Sequence, residues 1–131
     1  MKKKVLVVDD EDDILQFLGL VLRERGYDVL TASAGREALA VAQRERPDFV
    51  LLDVMMPQMD GWEVLRRLKA DPRTAEIPVA IVSARTGAKD RAEGLRAGAA
   101  DYICKPFSLD ELLGKLAAVL GGEPEPGDAT P

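Results

Sequence analysis

Asp9 and Asp10 close the apolar run Val5-Leu6-Val7-Val8, and Asp53 closes the run Phe49-Val50-Leu51-Leu52. Ser83 follows Val79-Ala80-Ile81-Val82, and Lys105-Pro106 follows Tyr102-Ile103-Cys104. In a parallel sheet the C-terminal ends of the strands share one edge, and open α/β folds bind ligands there. Strands at these runs would bring together three carboxylates, a hydroxyl and an ammonium. That set suits phosphoryl chemistry. Carboxylates hold a hard cation, one carboxylate is left to react, and the hydroxyl and ammonium meet phosphoryl oxygens.

Each residue has a plainer reading beside this one. Asp9 and Asp10 repel each other unless a cation or base neutralises them, but they also suit a solvated turn or a helix N-cap. Oxygen-only donors, with no histidine in the chain, favour Mg²⁺, Mn²⁺ or Ca²⁺ over zinc. Asp53 is sharper, because a carboxylate after four apolar residues on a central strand needs a partner. Beside Asp10 it could share a divalent ion, and a carboxylate masked in this way can attack phosphorus to form an acyl phosphate. Lys105 can pair with Asp53 or a phosphoryl oxygen, or it can snorkel at the surface. Ser83 can bond a phosphoryl oxygen or merely begin a loop. Cys104 reads as a small buried residue with no histidine to activate it. Met55, Met56, Met59 and Trp62 read as packing.

Composition removes other classes. Without histidine there is no Ser-His-Asp triad, histidine metal site or histidine phosphocarrier. A single cysteine allows no intrachain disulfide, which fits a reducing, cytoplasmic compartment. No apolar run approaches the ~20 residues of a membrane span, and Met1-Lys2-Lys3-Lys4 precedes too short an apolar stretch for a signal peptide. The net charge is −5. No basic face stands out, so direct nucleic-acid binding is not expected.

Five apolar runs alternate with five helical patterns, the signature of a single α/β domain with a parallel sheet. Strands are expected at 4–9, 28–32, 48–53, 78–82 and 101–104. Helix one starts near Asp12 with Ile14, Leu18, Val21 and Leu22 on one face, and Gly26 caps it. Helix two starts near Gly35, turns Ala38, Leu39 and Ala42 inward, and ends at Pro47. Helix three carries Val64, Leu65 and Leu68 up to Asp71-Pro72. Helix four, 89–97, has only Leu95 and small alanines to bury and should pack loosely. Helix five, 108–120, has Ser108 as N-cap and Glu111 at the capping-box position, with Leu112, Leu113, Leu116, Val119 and Leu120 inward. The domain is therefore placed at 1–120. Residues 121–131, acidic and rich in proline and glycine, are expected to be a disordered tail or a truncated linker.

Together these stretches resemble the receiver domain of bacterial two-component response regulators. The resemblance spans residues 3–120 and rests on four segments: Val5 to Glu11, Leu51 to Gly61, Ile77 to Ala84 and Gly98 to Phe107. It implies a flavodoxin-like, doubly wound sheet of order 2-1-3-4-5 flanked by five helices, with a cis Lys105-Pro106 bond. It implies that Asp53 accepts a phosphoryl group from a phosphohistidine on a histidine kinase or phosphotransfer protein. Asp10, Asp53 and the backbone carbonyl of Met55 would ligate Mg²⁺ (or Mn²⁺), with Asp9 acting through water. Lys105 would pair with a phosphoryl oxygen, Ser83 would move toward the phosphoryl group, and Tyr102 would swing inward behind it. Output would leave through the helix-four, strand-five, helix-five face to a downstream protein or an effector domain that this chain lacks. Ala100 and Gly121-Gly122 stand where family members that dimerise by acid–base pairing carry charges, so a monomer or weak dimer is expected.

Two other functions share this architecture. A Mg²⁺-dependent aspartyl-phosphate phosphohydrolase would want a second aspartate two residues after the nucleophile, where Met55 stands. A flavin module would want a Gly/Ser/Thr-rich phosphate loop after strand one, where Asp9-Asp10-Glu11-Asp12-Asp13 would repel phosphate. The switch is the favoured reading, and the protein is not expected to turn over as an enzyme beyond assisting its own phosphoryl transfer and dephosphorylation. Met55, and Arg85 two residues after Ser83, would set how fast the phosphoryl group is lost.

Overall fold

The alternation of short continuous apolar runs with period-3.6 apolar patterns resolves into ten elements. They run β1 (Lys4–Val8), α1 (Asp12–Glu24), β2 (Asp28–Ala32), α2 (Gly35–Glu45), β3 (Phe49–Asp53), α3 (Gly61–Ala70), β4 (Val79–Ser83), α4 (Ala88–Arg96), β5 (Asp101–Cys104) and α5 (Leu109–Val119). The structure is a computed structural model and describes residues 2–56, 59–84 and 87–120. The strands form one parallel sheet in the order β2-β1-β3-β4-β5, the flavodoxin-like order expected. No helix among the described residues is long and apolar enough to cross a membrane.

Strand side chains alternate between faces, and both faces of the central strands are covered. Leu6, Val8, Val50, Leu52 and Ile81 meet α2 and α3 through Ala38, Ala42, Val64, Leu65 and Leu68. Val5, Val7, Phe49, Leu51 and Ala80 meet α1 and α5 through Leu15, Leu18, Leu22, Leu112 and Leu116. Near-continuous apolar strands are what such double coverage requires.

Helix ends follow local chemistry. Asp60 caps α3 by accepting from the Glu63 N–H at 3.0 Å, and Ser108 caps α5 by accepting from the Glu111 N–H at 3.0 Å. Gly26, at φ +94°, takes the chain out of α1. The connection from α3 to β4 is closed from within. The Lys69 ammonium donates to the carbonyls of Ala75 and Ile77 at 3.1 and 2.8 Å, and the Thr74 hydroxyl donates to that of Leu68 at 2.7 Å. Burial holds the Lys69 ammonium below the ordinary lysine range, with Glu76 opposing.

Several sequence expectations shift. The stripe of α1 is centred on Leu15, Leu18 and Leu22, leaving Ile14 and Val21 half-buried. Val119 is 38% exposed, because α5 narrows to Leu112 and Leu116 as it leaves the sheet. Leu95 faces solvent, and Gly94 is the buried residue of α4. Arg46, in the left-handed conformation at φ 47°, ends α2 ahead of Pro47. β1 stops at Val8, β3 starts at Phe49 and β4 runs one residue further, so Ser83 closes a strand and does not open a loop. The expected tail, 121–131, lies outside the described residues.

One close approach fixes the functional edge. A Cβ on Gly61 would sit 2.4 Å from Val54 Cα and 2.5 Å from the Asp53 carbonyl oxygen. The first turn of α3 is thus seated on the backbone that carries Asp53. Gly61→Ala should destabilise the domain by roughly 1–3 kcal/mol, the usual cost of overpacking, measured by urea unfolding. A variant as stable as wild type would show that α3 can move off this seat freely.

Candidate functional site

The topology brings the ends of β1, β3, β4 and β5 to one edge, and five of the residues singled out by sequence arrive there. Asp9 lies one residue past β1, where its N–H donates to the Ala32 carbonyl at 3.1 Å. Asp53 ends β3, Ser83 ends β4, and Lys105 follows β5. Asp9, Asp53 and Ser83 are buried, whereas Asp10 is exposed. Single carboxylate oxygens of Asp9, Asp10 and Asp53 all lie within 4.8 Å of one another.

The Lys105 ammonium closes the cluster. Nζ lies 3.1 Å from Asp9 Oδ2 and 3.3 Å from Asp53 Oδ2, with Glu11 Oε1 further off at 3.9 Å. The backbone aims it: the Lys105 N–H donates to the Ser83 carbonyl at 2.7 Å, and the Lys105-Pro106 bond is cis, as expected. The second oxygens are also held. Asp9 Oδ1 accepts from the Glu11 N–H and Asp53 Oδ1 from the Met55 N–H, both at 2.9 Å. The Met55 side chain is 52% exposed beside this turn.

Burial raises the Asp9 carboxyl above its ordinary value. The Glu11 N–H and the Lys105 ammonium pull it back without cancelling the effect, and the Asp53 charge adds to the rise. For Lys105, burial pulls downward, but the bonds and charges of Asp9 and Asp53 outweigh it and hold the ammonium above its ordinary value. The donor set fits a hard divalent cation. It offers three clustered carboxylate oxygens, with no sulfur or imidazole among them. One ammonium opposite three carboxylates leaves negative charge that such a cation would offset.

Tyr102 lies beneath this edge, on β5. Its ring is already inside, at 1% exposure. The Arg91 guanidinium stands 5.5 Å from the ring centroid and donates to the Tyr102 carbonyl at 3.2 Å. The sequence did not single out Arg91, Gly61, Gly94 or Glu11. Nothing in the spacing marks Arg91, since its partner is eleven residues away across a helix–strand turn. Glycines inside helical patterns are a usable signal, because a helix interior rarely tolerates them without a packing reason. Arg85 lies outside the described residues.

The charge balance gives a test without metal. A carboxyl raised on folding adds stability below its unfolded value and loses it as pH climbs through the folded value. Ionised Asp9 is therefore a burden at neutral pH in chelator. In EDTA at pH 7, Asp9→Asn should raise the melting temperature by about 2–5 °C. The gap to wild type should grow as pH rises from 3.8 upward. A variant that melts at or below wild type would show that the Lys105 pair outweighs the burial cost.

The family model described as the response regulator receiver domain matches residues 5–117. Over 120 residues the chain is 44% identical to the alkaline phosphatase synthesis transcriptional regulatory protein PhoP of Bacillus subtilis, covering 92% of this chain and 49% of that protein. Over 107 residues it is 48% identical to the response regulator PleD of Caulobacter vibrioides, covering 82% of this chain and 24% of that protein. The chain thus spans about half the length, or less, of these curated relatives. Among solved structures, the receiver domain of the Francisella response regulator 1452 superimposes with a TM-score of 0.86 at 37% identity, covering 92% of this chain and 98% of that one. The chemotaxis protein CheY4 of Vibrio cholerae gives 0.85 at 37% identity, covering 91% and 99%.

Proposed function

The chain belongs to the response regulator receiver domain family of phosphorylation-dependent signalling switches, and from that premise we propose that Asp53 is its phosphoacceptor. The observation that carries this is the Lys105 ammonium, 3.3 Å from Asp53 Oδ2 and tethered to Asp9. It puts a fixed positive charge beside the one buried carboxylate that ends a central strand.

The donor is a phosphohistidine on a partner kinase or phosphotransfer protein. A carboxylate oxygen of Asp53 attacks phosphorus, the bond from phosphorus to the imidazole nitrogen breaks, and its electron pair returns to the ring. An acyl phosphate results. Lys105 pairs with one phosphoryl oxygen and the Ser83 hydroxyl donates to another, so both bind the charge that Asp53 gains. Asp10, Asp53 and the Met55 backbone carbonyl would hold Mg²⁺ (or Mn²⁺), with Asp9 acting through water. When bound, the ion supplies neutralising charge beside the phosphoryl oxygens.

Output passes through the face made by α4, β5 and α5, and the buried position of Tyr102 is the state that phosphorylation selects. The recipient is a downstream protein or an effector domain joined to the receiver. Hydrolysis resets the switch: water attacks phosphorus, the acyl-oxygen bond to phosphorus breaks, and carboxylate and inorganic phosphate are released. Met55, two residues after Asp53, offers no carboxylate to drive turnover as a phosphohydrolase.

Two measurements check this reading. With acetyl phosphate and Mg²⁺, intact mass should show one phosphoryl group on wild type and none on Asp53→Ala. A modification that persists in the variant would assign the chemistry elsewhere.

The phosphoryl group should also last minutes or longer after the donor is removed. Neither an exposed methionine nor an arginine at position 85 orients a water as an amide or carboxylate would. General-base help of that kind is worth about 10²–10⁴-fold. Met55→Asn combined with Arg85→Glu should shorten the lifetime at least tenfold. A wild-type half-life of seconds, or an unchanged double mutant, would show that these positions do not set the timer.

A further inference from the structure

We propose that the turn from β2 into α2 is a strut between the two flanks of the acidic cluster, seated through Gly35 on the β3–α3 loop, and that Gly35 is a positioning residue deciding which size of divalent cation the site takes. This rests on the switch reading and adds to it a residue from outside the cluster.

The turn is tied to the site at both ends. At its β2 end the Ala32 carbonyl accepts from the Asp9 N–H at 3.1 Å, so the turn starts on the backbone that carries Asp9 and Asp10. At its α2 end Gly35 is buried. A Cβ there would lie 2.9 Å from Met59 Cβ, 2.9 Å from the Met59 carbonyl oxygen and 3.0 Å from Met59 Cγ. Between these ends Glu37 holds the turn. Its Oε1 accepts from the Ser33 N–H at 2.8 Å and from the Ser33 hydroxyl at 3.3 Å.

Met59 passes the contact on. It belongs to the loop whose Met55 N–H holds Asp53 Oδ1 at 2.9 Å, and the Gly61 N–H closes that loop on the Val54 carbonyl at 3.2 Å. The loop is thus fixed by Gly61 from the α3 side and by Gly35 from the α2 side. A path of contacts runs from Asp9 through Ala32, Gly35, Met59 and Met55 to Asp53. It joins the two flanks of the cluster by a route outside it.

Sheet order gives the direction in which the path acts. β1 lies between β2 and β3. A larger residue at position 35 therefore pushes Met59 away from the end of β1, where Asp9 and Asp10 stand. The atoms in the way are a carbonyl and a Cβ, which cannot swing aside as the tip of a side chain can, so the loop itself must shift. The Met55 carbonyl then moves away from Asp10. Mg²⁺ demands a near-ideal octahedron of oxygens at about 2.0–2.1 Å, whereas Ca²⁺ accepts about 2.3–2.6 Å in a looser shell. Widening the site weakens Mg²⁺ more than Ca²⁺.

The chain's single tryptophan, Trp62, shares a cleft with Val54, Met55 and Met56, so its fluorescence reports on this loop. Magnesium chloride and calcium chloride are titrated separately against metal-free protein. In Gly35→Ala the Mg²⁺ Kd should rise at least fivefold and the Ca²⁺ Kd less than twofold. In EDTA the Met55 amide resonance should also move, with no ion bound.

A glycine needed for packing alone would give a lower melting temperature in EDTA, with both Kd values and the Met55 resonance as in wild type. That result would overturn the strut. A rise by the same factor for both ions would overturn the part of Gly35 in choosing between them. Glu37→Ala loosens the turn without touching the loop, and it should lower the preference for Mg²⁺ over Ca²⁺ at least twofold. If Gly35→Ala does not fold, an unchanged preference in Glu37→Ala overturns the proposal. Wild type that binds neither ion would instead remove the cation site and the reading this rests on, whereas the ratio of the two Kd values judges the strut alone.

Discussion

One ammonium facing three carboxylates at a water-poor sheet edge is the constraint from which the rest of this molecule follows. At an effective dielectric near 20, unit charges 4 Å apart interact by about 4 kcal/mol. Lys105 can serve Asp9 and Asp53 but has no second charge for Asp10. The cluster is therefore left negative and partly desolvated. Such a site gives up stability for reactivity, as functional sites commonly do. It also explains why the supporting backbone is so determined. The Glu11 and Met55 N–H groups and the Ser83 carbonyl each fix an atom that charge repulsion would otherwise displace.

The two halves of that edge are built differently. On the β3 side, α3 is seated against Val54 with no space for a methyl group, and Lys69 and Thr74 close its far end through buried carbonyls. On the β5 side, α4 touches the sheet through a glycine and an arginine. A reacting group needs a stiff floor, because small errors of position cost rate. A signal needs an element whose alternative position is near in energy. The firm seat lies at β3 and the lightly packed helix at β5, with β4 between them.

Much of this was legible in the sequence. Five apolar runs, four of them ending in a chemically active residue, admit few arrangements other than a parallel sheet with those ends together. Asp9, Asp10, Asp53, Ser83 and Lys105 all reach the same edge. The periodicity of α3 and the cap at Ser108 were equally readable, since both are local. What escaped is contact across elements. Leu15 and Ile14 are one residue apart, and only the tilt of α1 on the sheet decides which is covered. Val119 keeps the period of α5 but overshoots the sheet. Arg91 and Gly94 matter because of a ring eight to eleven residues further along the chain, and nothing in hydrophobic patterning encodes that meeting.

The grip on Tyr102 has a consequence for how the sheet ends. β5 is an edge strand of four residues, and an open edge invites a strand from another chain. Its backbone at Tyr102 is already engaged on both sides of the residue. The N–H donates to Asp101 Oδ1 at 2.8 Å, the carbonyl is taken by Arg91, and Asp101 is itself anchored by Lys115 at 3.0 Å. Two side chains thus stand in for a sixth strand. An incoming β-segment would have to strip both before it could form a ladder. That margin of the sheet is therefore a poor template for an added strand.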